Sequence, residues 1–429
     1  MHIPALLKIG FVFAAALLAI RKDIALGHIF MGSSVLLGFI FGMTPLQLLN
    51  GIYHALTHPK TLALACVVSM ILVLSHSMEK AREMERLLDS FQGLVRNPRL
   101  NLVIFPALIG LLPMPGGAIF SAPMVKNIGS RLGLTGAQLS YINYWFRHIW
   151  EYWWPLYPGI LLTTTLSGID LWKFIFCTFP LTVVAILSGY LPLGKVIVSG
   201  RSENHPSHPP IKPFLKGLIP IAIVIIGGLG LGSVLSIFWP STWAPVSKEL
   251  GLISALTVSV VYVWVKNGFT LRECLSVIVQ KQLVKMFYMV CSILIFKTIL
   301  EESHAAGQIT DELLSLGIPL MPVCIILPFL MGLITGITIA FVGTSFPILI
   351  VLIKSANQAN FMLPYLMLAL ASGFIGVLVS PVHLCLLLSN EYFHTALQPV
   401  YRYVAVPCTI LFASMVAYFG LLRYFLPPS

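Results

Sequence analysis

Three ionisable side chains lie close together in a segment that is otherwise apolar and aromatic. The stretch "YWFRHIWEYWWPLYPG" (144–159) contains Arg147, His148 and Glu151. If it crosses a membrane, each charge costs at least about 2.5–3.5 kcal/mol on insertion scales and should be paired or functional. Arg147 and Glu151 would share a helix face as an ion pair, serving either function or mere neutralisation. Because histidine in general titrates near neutral pH, His148 would relay protons with Glu151.

A second group of candidate residues lies where prolines and glycines are expected to interrupt a helix. The stretch "LLPMPGGAIFSAPMV" (111–125) would leave main-chain N–H and C=O groups unpaired, which membrane depth tolerates only beside a polar cavity. The helix that follows would direct its positive N-terminal dipole at an anionic group, while exposed carbonyls suit a cation. The candidate binding residues here are Pro113, Met114, Pro115, Gly116, Gly117 and Ser121.

Similar residue types recur in the second half of the chain, in "PFLMGLITGITIAFVGTSFP" (328–347). Hydroxyl groups there would ligate Na⁺ or bind a carboxylate; alternatively, small residues only permit close helix packing. A further break, "SPVHLCLLL" (380–388), contains a histidine that is either functional or a hydrogen-bonded core residue. The candidates are Thr335, Gly336, Thr338, Gly343, Thr344, Ser345, Ser380 and His383.

Composition sets the class of protein in which these residues act. Of 429 residues, 58% are hydrophobic and only 10% are charged, which is typical of an integral membrane protein. The fold should be all-α, because backbone groups in hydrocarbon must be satisfied within each segment. Seven cysteines form no CxxC pair. We expect six of them to be small core residues, without a disulfide framework or zinc site: Cys66, Cys177, Cys291, Cys324, Cys385 and Cys408.

Hydrophobic runs predict about ten transmembrane helices and two re-entrant hairpins. The hairpins are predicted at 100–130 and 319–353. The first span carries its charges after the apolar run and is therefore read as retained, not as a signal peptide. The spans are predicted at 5–20, 26–47, 61–77, 139–165, 172–194, 214–235, 249–266, 282–300, 362–389 and 400–426.

Positive charges support this layout. Under it, 18 Lys and Arg residues lie on one face and 6 on the other, while Lys8 and Arg147 lie within spans. The positive-inside rule makes the richer face cytoplasmic, in a plasma or inner membrane, with both termini extracytoplasmic. The net charge of +11 then reports topology, and we expect no nucleic-acid partner.

Two polar stretches lie outside the spans. Residues 195–213 contain His205 and His208 and are read as a solvated cytoplasmic linker, with metal binding as the alternative. Residues 77–99 alternate charge and carry apolar residues at helical spacing, which predicts an amphipathic helix on the cytoplasmic surface.

The linker separates two halves, 1–194 and 214–429, whose elements correspond in order. Pro106 and Gly110 match Pro328 and Gly332 at an offset of 222, and Pro155 matches Pro381 at 226. Five spans per half is an odd number, so the second repeat must be inverted. One hairpin would then enter from the cytoplasm and the other from outside. Secondary transporters bind substrate between such repeats.

At this point the sequence resembles a known group. "LLPMPGGAIFSAPMV", "YWFRHIWEYWWPLYPG" and "SPVHLCLLLSNEYF" resemble a prokaryotic membrane family of unassigned function, grouped in the ion-transporter superfamily with gluconate, citrate and dicarboxylate permeases. The resemblance covers nearly the whole chain. It implies two five-span inverted repeats with hairpins that reach the midplane, and commonly a homodimer.

The predicted function is secondary active transport of a small, anionic solute. No P-loop is present, so transport would be driven by Na⁺ or H⁺, with no other cofactor and no enzymatic activity. The partners would be the solute, the lipid bilayer and a second copy of the chain. Two alternatives stay open: a metal-dependent intramembrane enzyme using His148 and Glu151 at i,i+3 spacing, and a passive anion channel.

Overall fold

The computed structural model describes residues 4–22, 24–95, 97–114, 116–193, 210–228, 230–232, 234 and 246–425. Within these ranges there are α-helices and short helical turns and no strand. The α-helices are α1 (Ala5–Arg21), α2 (Leu26–Ile40), α3 (Pro45–Thr57), α4 (Pro59–Lys80), α5 (Glu83–Phe91), α6 (Pro98–Gly110), α7 (Ala118–Arg131), α8 (Gly136–Trp145), α9 (Pro158–Ser167), α10 (Leu171–Tyr190), α11 (Ile211–Ala222), α12 (Ser247–Lys266), α13 (Leu271–Ile278), α14 (Lys281–Glu302), α15 (Ala305–Ser315), α16 (Leu320–Thr335), α17 (Thr338–Ser355), α18 (Met362–Leu378), α19 (Leu384–Tyr392) and α20 (Leu397–Phe425).

Eight helical runs in these ranges are long and apolar enough to cross a membrane. Large apolar side chains such as Phe176, Leu187 and Val265 are exposed, as expected of a surface that faces lipid. The chain is therefore an all-helical, multi-pass membrane protein. The eight runs are Pro59–Lys80, Leu171–Leu193, Ile211–Gly232, Ser247–Lys266, Leu271–Glu302, Thr338–Ser355, Ala359–Leu378 and Leu397–Phe425.

Several predicted spans are shorter or interrupted. The first two correspond to α1 and α2, of 17 and 15 residues. The span predicted at 139–165 is broken between α8 and α9, and the one at 362–389 between α18 and α19. Pro155, Pro158 and Pro381 lie in or next to these breaks and cannot donate backbone hydrogen bonds. Residues 194–209 of the predicted linker lie outside the described residues.

Each predicted hairpin consists of two helices that pack against each other, α6 with α7 and α16 with α17. The first pair is joined by Leu111–Gly117, while the second is joined by only Gly336 and Ile337. Gly336 has φ +63°, a left-handed conformation that glycine adopts without steric cost and that ends α16.

The two halves share local details in the same order. Thr44 starts α3 and Thr270 starts α13, each through a capping box with the residue three positions on. Arg82 precedes α5 and His304 precedes α15, and both have φ of 54°. In the described ranges, ten α-helices lie in residues 5–190 and ten in residues 211–425.

Packing at the breaks follows the same correspondence. Gly110 of α6 lies against the backbone carbonyl of Arg147, and Gly332 of α16 lies against the carbonyl of Gly373. Gly110 and Gly332 are 222 positions apart, and Arg147 and Gly373 are 226 apart. The same two offsets relate Pro106 to Pro328 and Pro155 to Pro381. In both halves a Cβ on the glycine would meet that carbonyl, so the close approach requires glycine.

The amphipathic segment predicted at 77–99 contains α5 and lies against α11. Leu87 of α5 packs on Gly217 of α11. The buried carboxylate of Glu83 lies 3.0 Å from Lys266 Nζ at the end of α12 and accepts a hydrogen bond from Asn267. This ion pair ties the first half of the chain to the second.

Gly110→Ala and Gly332→Ala should each lower the free energy of unfolding by about 1–3 kcal/mol, because the added methyl group collides with a backbone carbonyl. Thermal unfolding of the protein in detergent measures the effect. Gly10→Ala and Gly420→Ala are matched controls, since nothing lies within 4 Å of a Cβ at either position. Equal behaviour of all four variants would contradict the close approach.

Candidate functional site

The break between α8 and α9 supplies hydrogen-bond donors to the end of α6. A helix ending inside an apolar protein leaves carbonyl groups without intrahelical partners. Residues 146–157 satisfy three of them: Trp150 Nε1 donates to Ala107 O at 2.7 Å, Trp154 Nε1 to Leu111 O at 2.9 Å and Tyr157 Oη to Gly110 O at 2.7 Å. The aromatic residues of this segment thus position the connection between α6 and α7.

Arg147 reaches the same connection from the start of the break. Its guanidinium donates to Met114 O at 2.5 Å and to Cys385 Sγ at 3.2 Å. It also lies directly over Gly117, where a Cβ would be 2.6 Å from Nη2. The side chain is buried, and its Nε has no hydrogen-bond partner. Among the described residues no carboxylate oxygen lies within 4.0 Å, so Arg147 is a buried cation with an unused donor.

The expected ion pair between Arg147 and Glu151 does not form, because α8 ends at Trp145 and the two residues no longer share a helix face. Glu151 instead accepts a hydrogen bond through Oε2 from Thr338 Oγ1 at 2.7 Å. Its Oε1 lies 3.8 Å from His148 Nε2. The carboxylate therefore connects the first break to the start of α17.

Two histidines, one from each break, meet in the interior. The Nε2 atoms of His148 and His383 are 3.2 Å apart. Nδ1 of His148 lies 2.6 Å from Tyr144 O, and Nδ1 of His383 lies 3.2 Å from Val377 O. Both rings are buried, and Cys385 Sγ lies within 4.8 Å of both Nε2 atoms. The cluster is a potential site for a proton or a metal ion, next to the Arg147 cation.

A separate polar network lies where α7, α8 and α19 meet. Ser121 Oγ donates to Asn143 Oδ1 at 2.6 Å, and Asn143 Nδ2 donates to Ser389 Oγ at 2.9 Å. Ser140 Oγ and Asn390 Oδ1 are 2.5 Å apart, while Asn390 Nδ2 is buried without a partner. These hydrogen bonds hold α7 against α8, and α8 against α19.

A cavity of about 450 Å³ leads toward the connection between α6 and α7. Met114, whose carbonyl accepts from Arg147, is part of its lining. Ser75 Oγ and His76 Nδ1 also belong to lining residues and have no hydrogen-bond partner. Glu79, Lys80 and Gln282 complete a polar mouth.

The predicted site residues divide into two groups. A Cβ placed on Gly336 would lie about 3.1 Å from Ser380 Oγ and from His383 N. Ser380 Oγ donates to Leu333 O, which caps α16 as the aromatic residues cap α6. These residues join the group formed by Met114, Gly117, Arg147, His148, Glu151, Thr338 and His383, while Ser121 belongs to the separate network with Asn143.

The remaining predicted residues do not reach the cluster. The hydroxyls of Thr335, Thr344 and Ser345 donate within their own helices. Gly343 packs on Ile293 and Phe30, away from the breaks. Gly116 packs near Leu388, Pro113 is half-buried, and Pro115 lies outside the described residues.

Cys385 is the main residue that the sequence reasoning missed. It was predicted as a small core residue, yet its sulfur accepts from Arg147 and faces two histidines. Its position two residues after His383, directly behind the proline break, is the signal that would have selected it. Asn143, Ser389 and Asn390 were missed as well, because single polar residues in an apolar helix have no characteristic spacing.

Tyr157→Phe should lower the free energy of unfolding by about 1–3 kcal/mol, because it leaves the buried Gly110 carbonyl without its donor. The measurement is thermal unfolding in detergent. Tyr424→Phe is the control, because that side chain is 81% exposed. If Tyr157→Phe unfolds like the wild type, the hydrogen bond does not position the connection.

Comparison with known proteins supplies a family. Among curated proteins, none matches the chain. A family model matches residues 5–421, which is nearly the whole length. The chain belongs to this family, described as "Protein of unknown function (DUF401)".

Proposed function

We propose that this protein is a secondary active transporter for a small anionic solute. The observation that carries the proposal is Arg147, a buried cation without a carboxylate partner whose Nε donor is unused. A buried charge is stable only when it is paired and hydrogen-bonded, and an anionic ligand would complete both requirements. The site resides between two interrupted helices, as substrate sites of secondary transporters do.

In this proposal the α6–α7 and α16–α17 pairs are re-entrant hairpins of two inverted repeats. Support comes from the ten-to-ten helix correspondence and from the paired contacts of Gly110 and Gly332. Irregular backbone at membrane depth is tolerated where it is buried in protein or lines a cavity. The connection at Met114 meets both conditions.

The bound anion would lie beside Arg147 and the N-terminal end of α7. Gly117 precedes α7, and its missing side chain leaves room for the guanidinium. The first backbone N–H groups of α7 add a positive dipole end. The cavity that reaches Met114 provides access from the face that we predict to be cytoplasmic.

Coupling would use H⁺ or Na⁺. Glu151 and His148 offer titratable groups next to Arg147, while Ser121, Asn143 and Ser389 offer neutral oxygens that suit Na⁺. Movement of the α6–α7 and α16–α17 pairs against the remaining helices would alternate access to the site.

Arg147→Gln should weaken anion binding about 10- to 100-fold, because a charge-assisted hydrogen bond contributes about 1.5–3 kcal/mol. Purified protein is heated with a panel of inorganic and organic anions, with and without Na⁺. A bound anion at 100 times its Kd stabilises the protein by about 2.7 kcal/mol.

Arg423→Gln is the matched control, since Arg423 packs on aromatic residues of α18 and α20, away from the breaks. Arg147→Lys keeps the charge and serves where the glutamine variant unfolds. Undiminished anion binding by both folded Arg147 variants would assign the residue a structural role only.

Uptake into proteoliposomes under imposed proton and sodium gradients tests transport directly. Accumulation of the anion above its own electrochemical gradient, dependent on one of the imposed ions, is expected. Flux that never exceeds the gradient of the anion would identify a passive channel instead.

A further inference from the structure

The hydrogen bonds of His148 and His383 determine where their protons are. A carbonyl oxygen only accepts, so Nδ1 of each ring must carry the hydrogen that bonds Tyr144 O or Val377 O. In the neutral rings both Nε2 atoms are then unprotonated. They face each other at 3.2 Å in a buried, low-dielectric place, and Nε2 of His148 also accepts from Arg147 Nη1 at 3.3 Å. A metal cation between the two nitrogens would bind both lone pairs.

The surrounding groups have the chemistry of metal ligands. Cys385 Sγ lies within 4.8 Å of both Nε2 atoms, and Arg147 Nη1 donates to it, which favours the thiolate. Glu151 Oε1 lies 3.8 Å from His148 Nε2 and has no other partner among the described residues. Imidazole and thiolate together suit zinc and other soft transition metals, not Mg²⁺ or Ca²⁺.

Each of these donors also has the outer partner that metal ligands usually have. The imidazoles donate to carbonyl groups through Nδ1, and the carboxylate of Glu151 accepts from Thr338 through the oxygen that faces away from His148. The sulfur accepts from Arg147. In metal sites such contacts fix the tautomer and orientation of every ligand.

We propose that His148, His383 and Cys385 bind a Zn²⁺ ion, with Glu151 Oε1 as the fourth ligand, after small movements of Cys385 Sγ and Glu151 toward the two Nε2 atoms. In a tetrahedral zinc site with Zn–N distances of about 2.0–2.1 Å, two nitrogen ligands lie about 3.3 Å apart. The observed 3.2 Å between the Nε2 atoms matches this separation. The thiolate and the carboxylate balance the dication, which leaves Arg147 free for an anion.

This proposal differs from the expectation of no zinc site. That expectation rested on the absence of CxxC spacing, but the ligands come from two breaks more than 200 positions apart. The ion would join the α8–α9 break to the α18–α19 break. This proposal goes beyond transport and does not depend on it, because the ion is detected without any flux measurement. With Zn²⁺ bound, His148 and Glu151 are ligands and not proton carriers, so coupling would then use Na⁺ at the neutral oxygens of Ser121, Asn143 and Ser389.

The test uses the full-length, tag-free protein in detergent, stripped with a chelator, reloaded with Zn²⁺ and desalted. Elemental analysis should find about one zinc per chain. Cys385→Ser and His383→Gln should each lower retained zinc at least 10-fold. Cys408→Ser is the matched control: that cysteine is buried and free, but it belongs to α20 and not to the cluster.

Loading with Co²⁺ gives a readout that is independent of stoichiometry. The wild type should show a thiolate-to-cobalt charge-transfer band and the intense visible bands of tetrahedral cobalt, and Cys385→Ser should lose the charge-transfer band. Zn²⁺ should raise the Tm of the stripped wild type and leave the Tm of Cys385→Ser unchanged. This comparison holds even if the variant is less stable.

Three outcomes would overturn the proposal. The first is a reloaded wild type without bound zinc, which would mean that the two histidines share a proton instead. The second is equal zinc retention by the wild type, Cys385→Ser and His383→Gln. The third is a wild-type cobalt spectrum without a thiolate band.

Discussion

The structure depends on how the carbonyl groups at the end of α6 find donors inside an apolar protein. Bulk water would satisfy them at a surface, but in the interior only side chains are available. Trp150, Trp154, Tyr157 and Arg147 provide those donors, and they are available because α8 stops at Trp145. The break between α8 and α9 thus supplies the hydrogen bonds that the connection between α6 and α7 lacks. If residues 146–157 were helical, these carbonyl groups would have no donors.

This dependence also explains where the charges lie. The guanidinium of Arg147, which donates to the Met114 carbonyl, carries its positive charge into the interior, where other polar groups surround it. Cys385 accepts from it, while Glu151 remains at a distance and bonds Thr338. The result is a buried cluster that contains both signs of charge without a direct Arg147–Glu151 pair. In the proposed function, an anionic ligand would supply the neutralisation that direct contact between these charges does not.

Prediction from sequence succeeded where the physical constraint is strong and local. Apolar runs predicted an all-helical membrane protein, which the structure confirms, and Pro155 and Pro381 marked the two interrupted helices. Prediction from spacing failed where contacts are distant in the chain, since Cys385 resembled any small core residue. Thr344 and Ser345 were selected by type, but their hydroxyls are satisfied within α17. The sequence shows which side chains can form hydrogen bonds or bind ions, whereas the partner of each side chain can be identified only from the fold.

The two breaks differ in length, since residues 146–157 separate α8 from α9 whereas only residues 379–383 separate α18 from α19. In the proposed alternating-access cycle, two identical halves that exchanged conformations would give two end states of equal energy, whereas breaks of unequal length make the two energies differ. A transporter of this kind would rest mainly in one orientation, and a ligand that favours the other would supply the difference from its own binding energy.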